Sequence, residues 1–157
     1  MKLEKCLLRL VVLSVFFLCF TMTSVEARNG KFGVRAGLYT DIGDAFIGGE
    51  YLTPISKSVY FNPNLEYILV DNANFLTFNF DSHYDFQRQG NVFPWIGGGL
   101  GILYVNPDGP VDSETDLGLN LLFGLGFKTA SSLIPYVQAK AVFSDNDEFV
   151  LGFGMRF

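Results

Sequence analysis

The sequence predicts an all-β fold, an eight-stranded antiparallel up-and-down β-barrel that crosses a membrane. Apolar and polar residues alternate from Lys31 to the C-terminus, the period typical of strands with one apolar face. The connectors between the alternating segments are short, as an up-and-down barrel requires. Most of the segments reach the length of about 9–11 residues that a tilted strand needs to cross the hydrocarbon layer.

Eight segments follow this pattern, at residues 31–40, 45–52, 58–70, 75–86, 93–104, 117–129, 133–143 and 149–157. Their apolar positions are, in order, Phe32, Val34, Ala36 and Leu38; Ala45, Ile47 and Tyr51; Val59, Phe61, Leu65, Tyr67 and Leu69; Leu76, Phe78, Phe80, Tyr84 and Phe86; Ile96, Leu100, Ile102 and Tyr104; Leu117, Leu119, Leu121, Phe123, Leu125 and Phe127; Val137, Ala139, Ala141 and Phe143; and Phe149, Leu151, Phe153, Met155 and Phe157.

The opposite face of the segments is polar. A membrane barrel turns its polar face into the lumen, whereas a soluble barrel turns it to water. The alternation alone does not choose between them, but strand length and tight connectors favour the membrane arrangement, and closure leaves no unpaired strand edge in lipid. We therefore predict a polar network in the lumen, formed by Arg35, Glu50, Glu66, Asp81, His83, Asp85, Lys128, Lys140 and Arg156.

An eight-stranded barrel leaves an interior only wide enough for side chains, and charges buried there need partners. We expect Arg35 to meet Glu50 and Glu66, and Lys128 and Lys140 to face Arg156. Glycines on the same face are expected to make room for neighbouring aromatic residues such as Trp95, Tyr39, Tyr60 and Tyr136. The sequence therefore predicts a filled lumen rather than an open pore.

The segment Asp81-x-His83-x-Asp85 is the arrangement closest to an enzyme site, since a histidine beside carboxylates can act as a general base. The neighbouring Ser82 has the opposite parity and faces lipid, so no nucleophile accompanies His83. A metal site of one histidine and two aspartates lacks further ligands. We expect a structural role for these residues, no cofactor and no catalysis.

Residues 1–27 predict a cleavable secretory signal. Three basic residues precede an apolar stretch at residues 10–20, and residues 25–27 offer a cleavage site after Ala27. The apolar stretch is short for a membrane anchor, and the large residues before Cys19 disfavour lipid attachment there. Residues 28–157 then form a single barrel domain.

Removal of the signal changes the charge and the cysteine content of the chain. The full chain has 11 basic and 16 acidic residues. The signal contains three of the former and two of the latter, which leaves 8 and 14, a net charge of −6. Both cysteines also lie in the signal, so the mature chain has no disulfide. This charge argues against nucleic acid as a partner.

Three segments carry a family resemblance: the terminal strand ending in Phe157, the strand at residues 94–101 (PWIGGGLG) and the strand at residues 120–127. They resemble the small bacterial outer-membrane β-barrel domain family, which includes opacity-type surface proteins. The resemblance covers residues 29–157 and implies a location in the outer membrane, assembly by machinery that reads the terminal strand, and both chain ends on the periplasmic side.

This orientation separates the charges into an outer and an inner rim. The outer connectors, at residues 41–44, 71–74, 105–116 and 144–148, hold ten acids and no lysine or arginine. The inner connectors, at residues 53–57, 87–92 and 130–132, hold Lys57 and Arg88 and no acid. Ten like charges repel unless cations share the rim. One hypothesis is loose divalent-cation binding that bridges to anionic outer-leaflet lipid, with oxygen ligands from Asp112, Glu114, Asp116, Asp145 and Asp147. A solvated acidic rim is the alternative that we favour.

The leading hypothesis is an outer-membrane barrel with a structural or surface-interaction role. A narrow porin-like channel for small solutes is the second hypothesis, and a lipid-modifying outer-membrane enzyme is the third. A soluble periplasmic barrel would instead turn the phenylalanine and leucine face inward.

Overall fold

The computed structural model describes residues 30–71, 73–86, 90–107 and 112–157. The predicted signal, Arg88 and Asp108 lie outside these residues. The described chain forms a closed antiparallel barrel in which each strand pairs with its neighbour in sequence and β8 pairs with β1. The strands are β1 (Lys31–Tyr39), β2 (Asp44–Pro54), β3 (Val59–Ile68), β4 (Ala73–Asp85), β5 (Val92–Pro107), β6 (Glu114–Phe127), β7 (Ile134–Phe143) and β8 (Glu148–Arg156). The predicted fold class is confirmed.

No helix in these described ranges is long and apolar enough to cross a membrane.

The pairing register fixes the tilt of the strands. A path that steps from each residue to its partner leaves β6 at Gly126 and returns to β6 at Asp116, a shift of ten residues (126 less 116). A barrel with such a stagger has strands inclined to its axis, commonly by about 35–45°. The path passes through Tyr136, Gly154, Arg35, Gly48, Glu66, Thr77 and Leu103.

The connectors alternate between two rims. Among the described residues, the outer rim consists of residues 40–43, 69–71, 112–113 and 144–147, and the inner rim consists of residues 55–58, 86, 90–91 and 128–133 with Lys31 and Phe157. The predicted long connector at residues 105–116 is shorter in the structure. β5 extends to Pro107 and β6 begins at Glu114, because Val105 and Glu114 still pair across the hairpin.

The outside of the barrel is apolar in every strand. Residues of the predicted apolar face are exposed or half-buried, and Leu117, Phe32 and Phe153 are more than 60% exposed. The buried positions of the same strands hold most of the charged and amide side chains. This polarity is the reverse of that in a soluble barrel and is the arrangement of a transmembrane barrel.

The interior has three layers. An apolar cluster near the outer rim and an aromatic cluster near the inner rim enclose a polar layer between them. The outer cluster consists of Tyr39, Phe46, Ile68, Leu103, Val142 and Val150, and the inner cluster consists of Phe93, Trp95 and Tyr136. The outer apolar cluster differs from the prediction, which placed polar side chains, glycines and a few aromatic rings in the lumen.

Glycines provide the space for these large side chains. A Cβ atom on Gly124 would lie against the Trp95 ring, and one on Gly154 would lie against the Tyr136 ring. Real Cβ atoms do not approach other atoms this closely, so neither position accepts a side chain without movement of the ring. The glycine-rich wall therefore fits the aromatic filling of a narrow lumen.

Candidate functional site: the lumen network

Arg35 joins the two carboxylates at the centre of the lumen. Its Nη2 lies 3.1 Å from Glu66 Oε1, and its Nη1 lies 3.8 Å from Glu50 Oε2. All three side chains are almost completely buried. All three lie at inward-facing positions of β1, β2 and β3, and the register brings them together because it pairs Arg35 with Gly48 and Gly48 with Glu66. Gly48 leaves room for the Arg35 side chain to pass.

Glu66 is the outer centre of the network. Its Oε2 accepts hydrogen bonds from Lys140 Nζ at 2.8 Å, from Tyr39 Oη at 2.5 Å and from Thr77 Oγ1 at 3.1 Å. A buried carboxylate is stable only with such compensation. Glu66 therefore ties the outer apolar cluster, through Tyr39, to the polar layer.

Glu50 is the inner centre. Its Oε1 accepts a hydrogen bond from Arg156 Nε at 2.8 Å, and its Oε2 accepts from Asn62 Nδ2 at 3.0 Å. The Arg156 guanidinium lies 4.3 Å from the Tyr136 ring centroid and 5.1 Å from that of Trp95. Cation–π contacts of this kind join the polar layer to the inner aromatic cluster.

Asp81, the third carboxylate of the polar layer, is held by hydrogen bonds from side-chain amides. Asn64 Nδ2 donates to Asp81 Oδ2 at 2.9 Å, and Asn120 Nδ2 donates to Asp81 Oδ1 at 2.8 Å. Asn79 Nδ2 donates to Asn64 Oδ1 at 3.0 Å and to Thr77 Oγ1 at 3.2 Å. Asp81 is thus held by neutral donors rather than by a cation.

The contacts close into a ring of side chains from the adjacent strands β1 to β4. In order, the ring runs through Glu50, Asn62, Asn64, Asn79, Thr77, Glu66 and Arg35. Three cations, Arg35, Lys140 and Arg156, balance the three carboxylates of the layer, Glu50, Glu66 and Asp81. In a buried, low-dielectric site such mutually bonded groups strengthen one another.

His83 lies between two aromatic rings. Its ring centroid is 5.6 Å from that of Tyr60 and 5.3 Å from that of Trp95, with interplanar angles of 24° and 28°. Its Nε2 lies 3.3 Å from Asp85 Oδ1, whereas Asp81 bonds to the amides. His83 is only 3% exposed. This geometry makes His83 part of the packed interior near the inner rim.

Lys128 does not belong to the lumen, contrary to the expectation from the sequence. β6 ends at Phe127, and Lys128 is exposed in the following connector. Its backbone N–H donates to the Asn91 carbonyl oxygen at 2.7 Å. The alternating pattern continues one residue beyond the strand that it describes, which is why parity alone assigned Lys128 to the interior.

Several members of the network were missing from the predicted set. The alternation places them on the same inward face as Arg35 and Glu66, and Tyr39 was expected in the lumen only as an aromatic ring beside glycines. These residues are Tyr39, Asn62, Asn64, Thr77, Asn79 and Asn120. Their uncharged side chains gave no electrostatic reason to single them out.

Acids of the outer rim hold the connectors in place. Asp116 Oδ1 accepts a hydrogen bond from Leu117 N at 2.7 Å, and its Oδ2 accepts from Asp145 N at 3.3 Å. Asp147 Oδ1 accepts from Ser144 N at 3.2 Å. Across the described part of the chain, no three His, Cys, Asp or Glu residues are grouped so that they could hold a metal ion. Divalent-cation binding by Asp112, Glu114, Asp116, Asp145 and Asp147 stays a prediction.

The barrel is similar to solved membrane-protein structures. The N-terminal β-barrel domain of OprF from Pseudomonas aeruginosa matches with a TM-score of 0.71 and 14% identity, over 82% of this chain and 95% of that chain. Neisserial surface protein A matches with a TM-score of 0.63 and 16% identity, over 81% and 93%. The outer membrane enzyme PagL matches with a TM-score of 0.57 and 15% identity, over 81% and 98%.

No protein-family model matches the chain, and no curated protein matches it. The resemblance to opacity-type proteins in particular stays a prediction. At 14–16% sequence identity, structural similarity supports an inference about the fold and not about the activity. The fold is that of the small eight-stranded outer-membrane β-barrels.

Proposed function

We propose that the chain is a non-catalytic β-barrel of the bacterial outer membrane, with a structural or surface-interaction role and a lumen that does not conduct. The filled interior carries this proposal. Two apolar clusters and the bonded polar layer between them occupy successive heights of the lumen. Transport through the barrel would require the buried ion pairs at Glu50 and Glu66 to separate.

The apolar outside supports the location. Large apolar side chains are exposed on all eight strands, and a continuous apolar surface of this kind marks contact with a membrane or a partner rather than with water. In a lipid bilayer the same side chains contact hydrocarbon, while the closed ladder satisfies the backbone. The predicted export signal at residues 1–27 agrees with this location.

The enzyme hypothesis has less support. A lipid-modifying site needs a nucleophile beside a general base near lipid headgroups. His83 is instead enclosed by Tyr60 and Trp95, and the neighbouring Ser82 lies on the outer face of β4. The likeness to PagL, an outer membrane enzyme, is a likeness of fold.

Planar-bilayer recording tests the closed lumen. The refolded protein is first checked for heat-modifiable gel mobility, so that a silent bilayer reports a closed barrel rather than failed insertion. We expect no stable conductance steps from inserted protein. Large, stable steps would overturn the closed-lumen proposal and favour the narrow-channel hypothesis.

We propose two partners beyond the bilayer: the outer-membrane assembly machinery at the terminal strand, and cations at the acidic outer rim that bridge to anionic lipid. Phe157 extends β8, and its backbone N–H donates to the Phe32 carbonyl oxygen at 2.9 Å while its ring is exposed. Phe157→Ser should lower assembly in cells but leave refolding into vesicles unchanged.

Calcium titration tests the proposed cations at the acidic outer rim. A titration that leaves thermal stability unchanged would reject the cation partner.

A further inference from the structure

The pairing of β8 with β1 closes the barrel, and no connector sets its register. The other strand pairings all join neighbours in sequence, so a connector limits how far one strand can slide along the other. β1 and β8 are the first and last strands of the described chain, and no connector joins them. Side-chain contacts at this seam between β1 and β8 must therefore select the register in which the barrel closes.

The alternation of apolar and polar residues leaves several registers open at the seam. A slip of one residue would turn the apolar face of β8 into the lumen, whereas a slip of two residues keeps every side chain on its own face. The outward residues of both strands, within residues 32–38 and 149–157, are all apolar and therefore discriminate weakly between such registers. The contacts of Thr40 and Asp41 with Phe149 at the outer end are exposed, where water can replace them.

Arg156 forms a buried contact that crosses β1 at the seam. It is the last residue of β8 and pairs with Gly33 of β1, which in turn pairs with Glu50 of β2. Arg156 Nε donates to Glu50 Oε1 at 2.8 Å, and both side chains are almost completely buried. A Cβ on Gly33 would lie 2.7 Å from the same oxygen, so a side chain there would displace the Glu50 carboxylate. Gly33 therefore leaves room for an ion pair that joins β8 to β2.

Both registers that differ by two residues would place Arg156 beside another cation. A slip in one direction would pair Arg156 with Arg35, and a slip in the other direction would pair it with Lys31. Like charges directly opposite each other on one face of a sheet are destabilising. Arg156 would also move away from Glu50, and an uncompensated buried charge is strongly destabilising. Arg156 has an acid within reach and no cation opposite it only in the observed one of these three registers.

We propose that the Arg156–Glu50 ion pair across Gly33 fixes the register in which β8 closes on β1, and with it the stagger of the whole barrel. Glu50 favours the observed register by attraction, and Lys31 and Arg35 disfavour the slipped ones by repulsion. A buried ion pair adds little net stability compared with apolar packing, but selection of one register is a role for which buried polar groups are retained. This role concerns the closure of the fold and does not depend on the proposed function.

Disulfide crosslinking across the seam tests the register. The predicted mature chain, which has no cysteine of its own, is refolded into vesicles and treated with a membrane-permeant oxidant. Ala36→Cys is combined with Phe153→Cys, its partner in the observed register, or with Leu151→Cys or Met155→Cys, its partners after a slip of two residues. Cα atoms directly opposite each other, about 4.5–5.5 Å apart, permit a disulfide, whereas diagonal neighbours about 7–8 Å apart do not. With Arg156 present, only the cysteines at positions 36 and 153 should crosslink.

Substitution of Arg156 should release the register. Arg156→Met should raise the crosslinks to positions 151 and 155 by about tenfold or more, because loss of a buried charge pair shifts an equilibrium by at least this factor. Arg156→Lys keeps the charge and should retain the observed register. Lys140→Met is the matched control, since it removes an equally buried cation whose bond to Glu66 does not cross the seam. It should leave the crosslinks unchanged.

Two results would overturn the proposal. If Arg156→Met crosslinks only between positions 36 and 153, the register is selected without the ion pair. If Lys140→Met slips as much as Arg156→Met, any loss of lumen charge loosens the seam and Arg156 has no particular role. Should Arg156→Met fail to show heat-modifiable gel mobility, the crosslinks are measured in Arg156→Gln, which removes the charge but keeps an amide donor. Slipped crosslinks in that variant support the proposal, and the observed register alone overturns it.

Discussion

Lys140 Nζ lies 2.8 Å from Glu66 Oε2, although 74 residues separate the two along the chain. The pair joins β7 to β3, which are four strands apart in the closed barrel of eight and therefore face each other across the lumen. A single side-chain contact thus spans the interior. The neighbouring Tyr39 and Thr77 bond to the same carboxylate oxygen, so four side chains from β1, β3, β4 and β7 meet at this point of the lumen.

Glu66→Gln should lower the free energy of unfolding by about 3–5 kcal/mol, because Lys140 and Arg35 are left buried without their counter-charge. The measurement is equilibrium urea unfolding in lipid vesicles. Lys128→Met is the control, since exposed Lys128 should change stability by no more than about 0.5 kcal/mol. Equal and small losses in both variants would show that the buried pair does not hold the lumen together.

Asn120→Ala should cost about 2 kcal/mol. The Asn120 amide donates to both Asp81 and Asn79, and its loss leaves a buried carboxylate oxygen without a donor. The same unfolding experiment measures the effect, with exposed Asn106→Ala as the matched control. If Asn120→Ala unfolds at the same urea concentration as the wild-type protein, water replaces the amide at Asp81. That result would contradict a network that excludes water.

His83→Ala should destabilise the barrel by about 2–3 kcal/mol, since it removes the ring between Tyr60 and Trp95. His83→Phe should retain stability within about 1 kcal/mol, because a ring of similar size restores the stack. Unfolding of the two variants is compared at the same pH. If His83→Phe is as unstable as His83→Ala, the contact of His83 with Asp85, and not the stacked ring, stabilises the barrel.

Gly124→Ala and Gly49→Ala should behave differently. The added methyl group at Gly124 meets the Trp95 ring, and overpacking of this kind commonly costs about 1–3 kcal/mol. The methyl group at Gly49 points into open space and should be tolerated. Tryptophan fluorescence reports the first change directly, because Trp95 is the only tryptophan in the chain. An unchanged Trp95 spectrum in Gly124→Ala would contradict the close packing of the inner cluster.

Period-two alternation predicts the barrel well because a strand in a membrane barrel meets two sharply different media. The residues predicted to form the apolar face of the eight strands do face outward, and Arg35, Glu50 and Glu66 share an inward face that brings them together. Strand ends are less predictable. Val105 pairs with Glu114 although both were assigned to a connector, because hairpin pairing continues beyond the alternating segment.

The composition of the lumen is also harder to predict. Phe46, Ile68 and Val150 occupy inward positions near the outer rim, where the alternation leads one to expect polar residues. An interior that excludes water accepts apolar and polar side chains alike, provided that the polar ones find partners. Which residues meet across the lumen depends on the ten-residue stagger of the strands, and alternation within one strand contains no information about that stagger.

The most direct test of the membrane barrel is the environment of Leu121, which is outward-facing near the middle of β6. The predicted mature chain has no cysteine, so Leu121→Cys carries a bimane fluorophore at a single position. In vesicles, lipids brominated on their acyl chains should quench this fluorophore strongly, whereas aqueous iodide should not. The same label at Asp145→Cys on the outer rim should show the reverse. Quenching of the Leu121 label by iodide, without quenching by brominated lipid, would contradict a lipid-facing outer surface.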